Sequence, residues 1–226
     1  MTALRNAPLS DAASTALLVV DVQYEVAAYG HGDLAAYTRE TLPDDKRYYM
    51  DRIEQVMLPN IRALQEAFRA AGSEVLFTTV ENLTDDGRDR SLDYKVSGID
   101  VARGSKEAQV LAQVAPQGDE IRFPKSTSSV FNSTAIDYVL RNLGITRLVI
   151  VGLLTDQCVI SAVRDACDRG FLVVVPGDAC ATYTQDRHDW ALELTKGYCR
   201  LTDTPTLLKE IAALKRASRR GRGCRG

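Results

Sequence analysis

Histidine and paired cysteine are the first things this sequence lacks. Only two histidines, His31 and His188, occur in 226 residues, and neither stands at the end of an apolar, strand-like run, so an imidazole is not offered to a nucleophile in the usual way. The five cysteines, Cys158, Cys167, Cys180, Cys199 and Cys224, form no Cys-x-x-Cys pair. An odd, scattered set without a secretory leader pattern argues against a disulfide framework and for a cytoplasmic setting. No apolar run approaches membrane-spanning length, no internal repeat is evident, and no Gly-x-Gly-x-x-Gly follows the first apolar run, which argues against a dinucleotide-binding dehydrogenase. Charge of one sign is also missing: a net charge of −2 and a pI near 5.8 remove any general electrostatic reason to bind nucleic acid or an anionic membrane. Basic residues gather only in the tail from Lys215 to Arg225, whose composition predicts a solvated end.

What is present is ordinary globular material, 45% hydrophobic and 26% charged. This predicts one domain over residues 1–214 followed by the tail at 215–226. After a loose arm to Ser14, Thr15 to Val20 reads as a buried strand ending at Asp21. The stretch from Tyr24 to Arg47 is polar and too long for a plain connection, as expected of a loop that covers a site. Helical period from Tyr48 to Ala71 is interrupted at Pro59 and stopped by Gly72. Glu74 to Val80 is a second strand, followed by a charged loop from Glu81 to Arg103. A short helix is expected over Ser105 to Val114, a strand over Glu120 to Phe123, and a helix capped by Ser133 running to Leu143. Leu148 to Val151 is the central strand, Phe171 to Val175 a fifth, and Cys199 to Leu201 a short edge strand. Helices over Gln185 to Tyr198 and from Pro205 complete the chain. The alternation predicts an α/β fold of three layers, α/β/α and Rossmann-like, with an open parallel sheet of six strands.

Cys158 lies where the central strand feeds a helix whose inner face is Val159, Ala162, Val163 and Ala166. Free N–H groups and the macrodipole at a helix start favour negative charge, so this position suits a thiolate and an anion formed beside it. By itself a free cysteine is more often a small buried hydrophobe. Asp21, Glu81 and Lys125, however, also fall at carboxyl ends of strands, where open parallel sheets bind ligands. A nucleophilic thiol needs a cation, a proton acceptor and oxyanion donors, and Lys125, Asp21 and the turn at Leu154 to Cys158 offer one of each.

The segments LLVVDVQ around Asp21, FPKSTSSVFNST around Lys125 and VGLLTDQCV around Cys158 resemble the isochorismatase-like cysteine hydrolases, from Thr15 to about Leu214. The resemblance implies strand order 3-2-1-4-5-6 and a catalytic triad of Asp21, Lys125 and Cys158. It further implies a cis Leu153–Leu154 peptide and an oxyanion hole from the backbone N–H groups of Leu154 and Cys158. Because the cysteine is present, amide hydrolysis is implied rather than vinyl-ether cleavage. The nicotinamidase metal cluster is not matched, since Tyr24 to Tyr37 offers only His31 and Asp33 in the wrong pattern; no metal or other cofactor is expected.

VENLTDDGRDRSLDYKVSG, CVISAVRDACDRGF and KGYCR resemble the branch acting on small linear ureides, which implies triuret or biuret as substrate. Tyr24, Glu81, Asn82, Arg88, Tyr94 and Lys95 are the candidate substrate contacts; for most of them an ordering role in the loop or at an oligomer interface is an equal alternative. A ureidoacrylate or N-carbamoyl amino acid hydrolase would need a cation for the substrate carboxylate, with Arg88, Lys95 or Arg200 as candidates. A nicotinamidase-like enzyme, or a non-catalytic binding protein on this fold, are the remaining readings. A homo-oligomer, dimer or tetramer, is expected, with no nucleic-acid or membrane partner.

Overall fold

Continuous β-branched runs can lie only where both faces are covered, and the computed structural model, which describes residues 2–214, places them at the centre of a parallel sheet. The Lys215 to Arg225 tail lies outside the described residues. β1 (Thr15–Val20) pairs with β2 (Glu74–Val80) on one side and β4 (Arg147–Leu153) on the other. β3 (Arg122–Lys125) extends the sheet beyond β2, and β5 (Leu172–Pro176) and β7 (Arg200–Thr202) extend it beyond β4. The order is therefore β3-β2-β1-β4-β5-β7. A two-residue strand not foreseen from the sequence, β6 (Cys180–Ala181), pairs with the upper end of β4. β5 accompanies only the lower half of β4, and β6 fills the vacated edge. The expected six strands become seven for this reason.

Alternation along β1 decides the two layers. Leu17 and Val19 pack with the helix Leu58–Ala71 and with Leu207 and Ile211 of the helix Thr204–Ala213. Ala16, Leu18 and Val20 face the helices Ile136–Asn142 and Ile160–Asp168. In Leu58–Ala71, Ile61, Leu64 and Phe68 form the buried stripe, and Gly72 ends it in the left-handed region at φ 76°. Pro59 lies in the first turn of this helix, which starts at Leu58, as expected of a helix beginning near the proline. The helix Asp44–Arg52 runs into it through a wide turn at Ile53–Met57, which spares the turn a donor that proline cannot supply.

Several expectations are corrected by tertiary contacts. No α-helix forms over Ser105 to Val114, where only a 3-10 turn at Ala112–Val114 is present. The backbone of this segment instead holds the chain after β1: Tyr24 N–H donates to Gln109 O, Glu25 N–H to Glu107 O, and Leu111 N–H to Val22 O. The charged loop from Glu81 contains a short helix, Leu92–Val96, capped by Ser91. Ser133 caps nothing; it closes the turn Val130–Ser133, and the Thr134 hydroxyl accepts the Ile136 N–H. The helix Gln185–Thr195 stops three residues early. The N-terminal arm is tied down rather than loose, with Leu9 and Ala12 buried and Arg147 donating to the carbonyls of Ala7 and Pro8. β3 includes Pro124, which an edge strand tolerates.

β1 and β4 meet most closely at Gly152, paired with Val20. Gly152 has φ 116°, and a Cβ there would lie 2.1 Å from the Val20 carbonyl oxygen. Gly152→Ala is therefore expected to destabilise the protein by at least about 3 kcal/mol, read as a lower urea midpoint. A midpoint unchanged from the parent would refute the close approach.

Candidate active site

β1, β3 and β4 end close together at one edge of the sheet, β3 and β4 slightly beyond β1, and the residues there converge. Asp21 leaves β1 in the left-handed region at φ 52°, with its N–H donating to Thr78 O at 3.1 Å. Its carboxylate is buried. Oδ1 accepts the Thr78 hydroxyl at 2.6 Å, and Oδ2 is ion-paired with Lys125 Nζ at 2.9 Å. Lys125, the last residue of β3, is 0% exposed, which a lysine tolerates only when its ammonium is paired and hydrogen-bonded. Nζ donates to Thr127 O at 2.9 Å, to Tyr94 Oη at 3.3 Å and to Cys158 Sγ at 3.3 Å. Burial is the largest influence on this ammonium and works against its charge. Asp21, Cys158 and Tyr94 together outweigh it and hold the pKa above the usual lysine range.

Cys158 reaches the same point from β4. The Leu153–Leu154 peptide is cis, and a wide turn at Thr155–Val159 carries the chain into Ile160–Asp168. The thiol has Tyr94 Oη at 4.0 Å and Ser128 Oγ at 3.8 Å. Burial pushes its pKa up, Lys125 pulls it down and Asp21 pushes it up again; the net is above the ordinary thiol value. The helix start thus does not by itself decide the ionisation of Cys158; burial and Asp21 oppose Lys125 and make the thiol harder to ionise.

The turn that presents Cys158 is held from behind by residues not foreseen from the sequence. Arg52 Nη2 lies 2.8 Å from His188 Nε2, and Thr155 Oγ1 lies 2.9 Å from His188 Nδ1. Because a guanidinium only donates, Nε2 accepts and Nδ1 carries the proton toward Thr155. Burial, reinforced by the Arg52 charge, pushes the His188 pKa down to about 4. On the next residue, the Asp156 carboxylate accepts from the Thr182 hydroxyl and from Arg187.

A cavity of about 550 Å³ opens onto Cys158 and Asp21. Of the six candidate substrate contacts only Tyr94 lines it. Glu81 is spent on Arg122 and on the Gly104 N–H. Asn82 donates to Asp100, the Tyr24 ring packs on His31, and Arg88 and Lys95 lie outward, engaged with Asp86 and with the Arg88 carbonyl. Arg200 is paired with Glu210. Each satisfies a local charge or backbone group away from the cavity. In their place the wall carries Gln23, Glu25, Asp33, Ser128, Gln157 and Tyr183. Ser128 and Gln157 stand inside the quoted segments around Lys125 and Cys158, and Glu25 and Asp33 inside the long covering loop, so position near a motif was the available signal. Among the described residues no three His, Cys, Asp or Glu side chains gather as a metal-binding group.

Residues 15–206 match the family model of the isochorismatase domain. The chain belongs to the isochorismatase family. It is an isochorismatase-like hydrolase, of the kind that cleaves amide C–N bonds. It is 31% identical over 195 residues to the ureidoacrylate amidohydrolase RutB of Stutzerimonas stutzeri (strain A1501), covering 77% of this chain and 73% of that one. Nicotinamidase 3 of Arabidopsis thaliana is 25% identical over 172 residues, covering 74% of this chain and 85% of that one. A cysteine hydrolase from Pseudomonas syringae pv. phaseolicola 1448A shares the fold at TM-score 0.76 and 22% identity, covering 91% and 95% of the two chains.

Two outcomes follow from these environments. Alkylation of Cys158 by iodoacetamide, followed on its own peptide by mass spectrometry, should have its pH midpoint above that of an ordinary thiol. Lys125→Met should move the midpoint further up and Asp21→Asn down, each by about one unit; the reverse order would refute the assigned electrostatics. An unfolded histidine binds its proton near pH 6.5 and folded His188 only near 4, so the unfolded state holds more protons in that window. Stability present above pH 6.5 is then lost as pH falls to 4, by up to about 3 kcal/mol. His188→Gln should flatten that part of the urea-midpoint profile, and an unchanged slope would show that other groups carry it.

Proposed function

We propose that this hydrolase uses Cys158 as nucleophile on the carbonyl of a small linear ureide, with triuret or biuret preferred, and without a metal. The observation that carries the reading is the convergence of Asp21, Lys125 and Cys158 within hydrogen-bonding reach, with Asp21 and Cys158 lining one cavity. Asp21, whose carboxylate lies beside the thiol and the Lys125 ammonium, takes the thiol proton as Sγ attacks the carbonyl carbon. The oxygen becomes an oxyanion received by the backbone N–H groups of Leu154 and Cys158. Collapse breaks the C–N bond, and Asp21 returns the proton to the leaving nitrogen. The remaining acyl group is a thioester on Cys158. Asp21 then draws a proton from water, whose oxygen attacks the thioester carbon, and the thiol leaves with that proton. Lys125 remains charged throughout, holding Asp21 in place and balancing charge beside Sγ.

The polar wall suits a flat molecule rich in amide donors and acceptors. The 31% identical relative is named for ureidoacrylate, which keeps a ureide carrying a carboxylate as the second reading. Ammonia release across biuret, triuret, ureidoacrylate, N-carbamoyl amino acids and nicotinamide separates these. Cys158→Ala is expected to abolish turnover, by at least about 10³-fold, while leaving the melting temperature within a few degrees. Wild-type activity should survive exhaustive chelation; loss restored by one divalent ion would overturn the metal-independent mechanism.

A further inference from the structure

The cavity is acidic. Among its described lining residues are Asp21, Glu25, Asp33 and Asp93, and no lysine, arginine or histidine. The ammonium of Lys125 lies beneath the floor, 0% exposed and paired with Asp21. Glu25 is held where it is by the loop around it. Gln23, buried, donates to the carbonyls of Val80 and Glu107 and accepts the Val80 N–H, locking the chain after β1. Gly32, at φ 43°, closes over Glu25 so tightly that a Cβ there would lie 2.6 Å from Glu25 Oε2. His31, the nearest base in sequence, is engaged with Glu107 instead. Neither the Glu25 nor the Asp33 carboxylate is hydrogen-bonded or ion-paired to a described residue, and both residues line the cavity, Glu25 half-buried and Asp33 open to water. Lys46, which acts on Asp33 at a distance, sits over Tyr37 and does not line the cavity. Tyr183, Asp21 and Cys158 line the same cavity as the two carboxylates.

We propose that Glu25 and Asp33 are the specificity determinants of this cavity, accepting hydrogen bonds from the terminal N–H groups of uncharged ureides and rejecting ureides that carry a carboxylate at that end. This inference rests on the amidohydrolase reading above and narrows its substrate class. A ureide with a terminal –NH₂ supplies the donors that the two acceptors lack. A terminal carboxylate would meet two like charges with no cation among the cavity's described lining residues.

The test compares biuret with N-carbamoyl-β-alanine at pH 8, where Glu25 is ionised although burial, with the charges of Asp33 and Glu107, pushes its pKa up to about 6. The wild-type kcat/KM should favour biuret by at least about 100-fold. Glu25→Gln and Asp33→Asn should each narrow that ratio by about tenfold, chiefly through KM. Binding of both compounds to Cys158→Ala, and to Cys158→Ala carrying Glu25→Gln, is measured by calorimetry to read selectivity without chemistry. Equal or better use of N-carbamoyl-β-alanine by the wild type overturns the inference, as does a ratio unmoved by both substitutions. If the wild type hydrolyses none of biuret, triuret and N-carbamoyl-β-alanine while Cys158→Ala still binds biuret selectively through Glu25, the inference stands and the proposed ureide hydrolysis falls. Absence of selective binding together with absence of hydrolysis of all three overturns both.

Discussion

A lysine ammonium with no exposure to water governs the upper end of this sheet. Lys125 would be intolerably costly in an apolar interior, and its charge is kept by the Asp21 carboxylate 2.9 Å away. Removing one partner of such a pair leaves an uncompensated charge and typically costs about 3–5 kcal/mol. The pair therefore constrains geometry as well as charge. Asp21 follows β1 and Lys125 ends β3, with β2 between them, so the three strands must finish in register for the two groups to meet. Thr78 from β2 completes the arrangement by donating to the other carboxylate oxygen. Cys158 then arrives from β4 on the opposite side of β1 and takes the remaining reach of the ammonium.

The same constraint explains why the thiol is not simply activated. A cation lowers a thiol pKa, yet this cation is already balanced by a carboxylate, and burial raises the thiol further. In the proposed reaction charge separation is deferred until a substrate carbonyl is in place, when the proton passes to the Asp21 carboxylate. Preorganisation lies in position rather than in a standing thiolate. The Arg52–His188–Thr155 chain serves that position from below: a neutral histidine with one accepting and one donating nitrogen ties the nucleophile turn to a distant helix.

The cavity wall shows a second dependence. The loop after β1 has no regular partner in the sheet, and it borrows backbone from 107–111, which gives up helical hydrogen bonds to hold it. Gly32 allows the loop to fold over Glu25. Glu25 and Asp33 are thereby carried to the cavity by backbone pairing between two irregular segments.

Local pattern was enough for much of this. Continuous β-branched runs announced β1, β2 and β4 because buried parallel strands require them, and the spacing of Ile61, Leu64 and Phe68 announced the helix that covers them. Asp21, Lys125 and Cys158 were legible because each follows or ends such a run, where chain direction alone places it at the ligand-binding edge. Tertiary structure decided the rest. The helix expected over Ser105 to Val114 failed because its backbone groups found partners 80 residues away in sequence. Glu81 looked like a substrate ligand from its place after β2 and became a structural acceptor once Arg122 and the Gly104 N–H were beside it. Glu25, Asp33 and Tyr183 carried no periodic signal, and only the folding of their loops turned them to the cavity. Side chains on regular elements are aimed by local geometry, whereas those on loops are aimed by whichever distant groups satisfy the loop's own backbone.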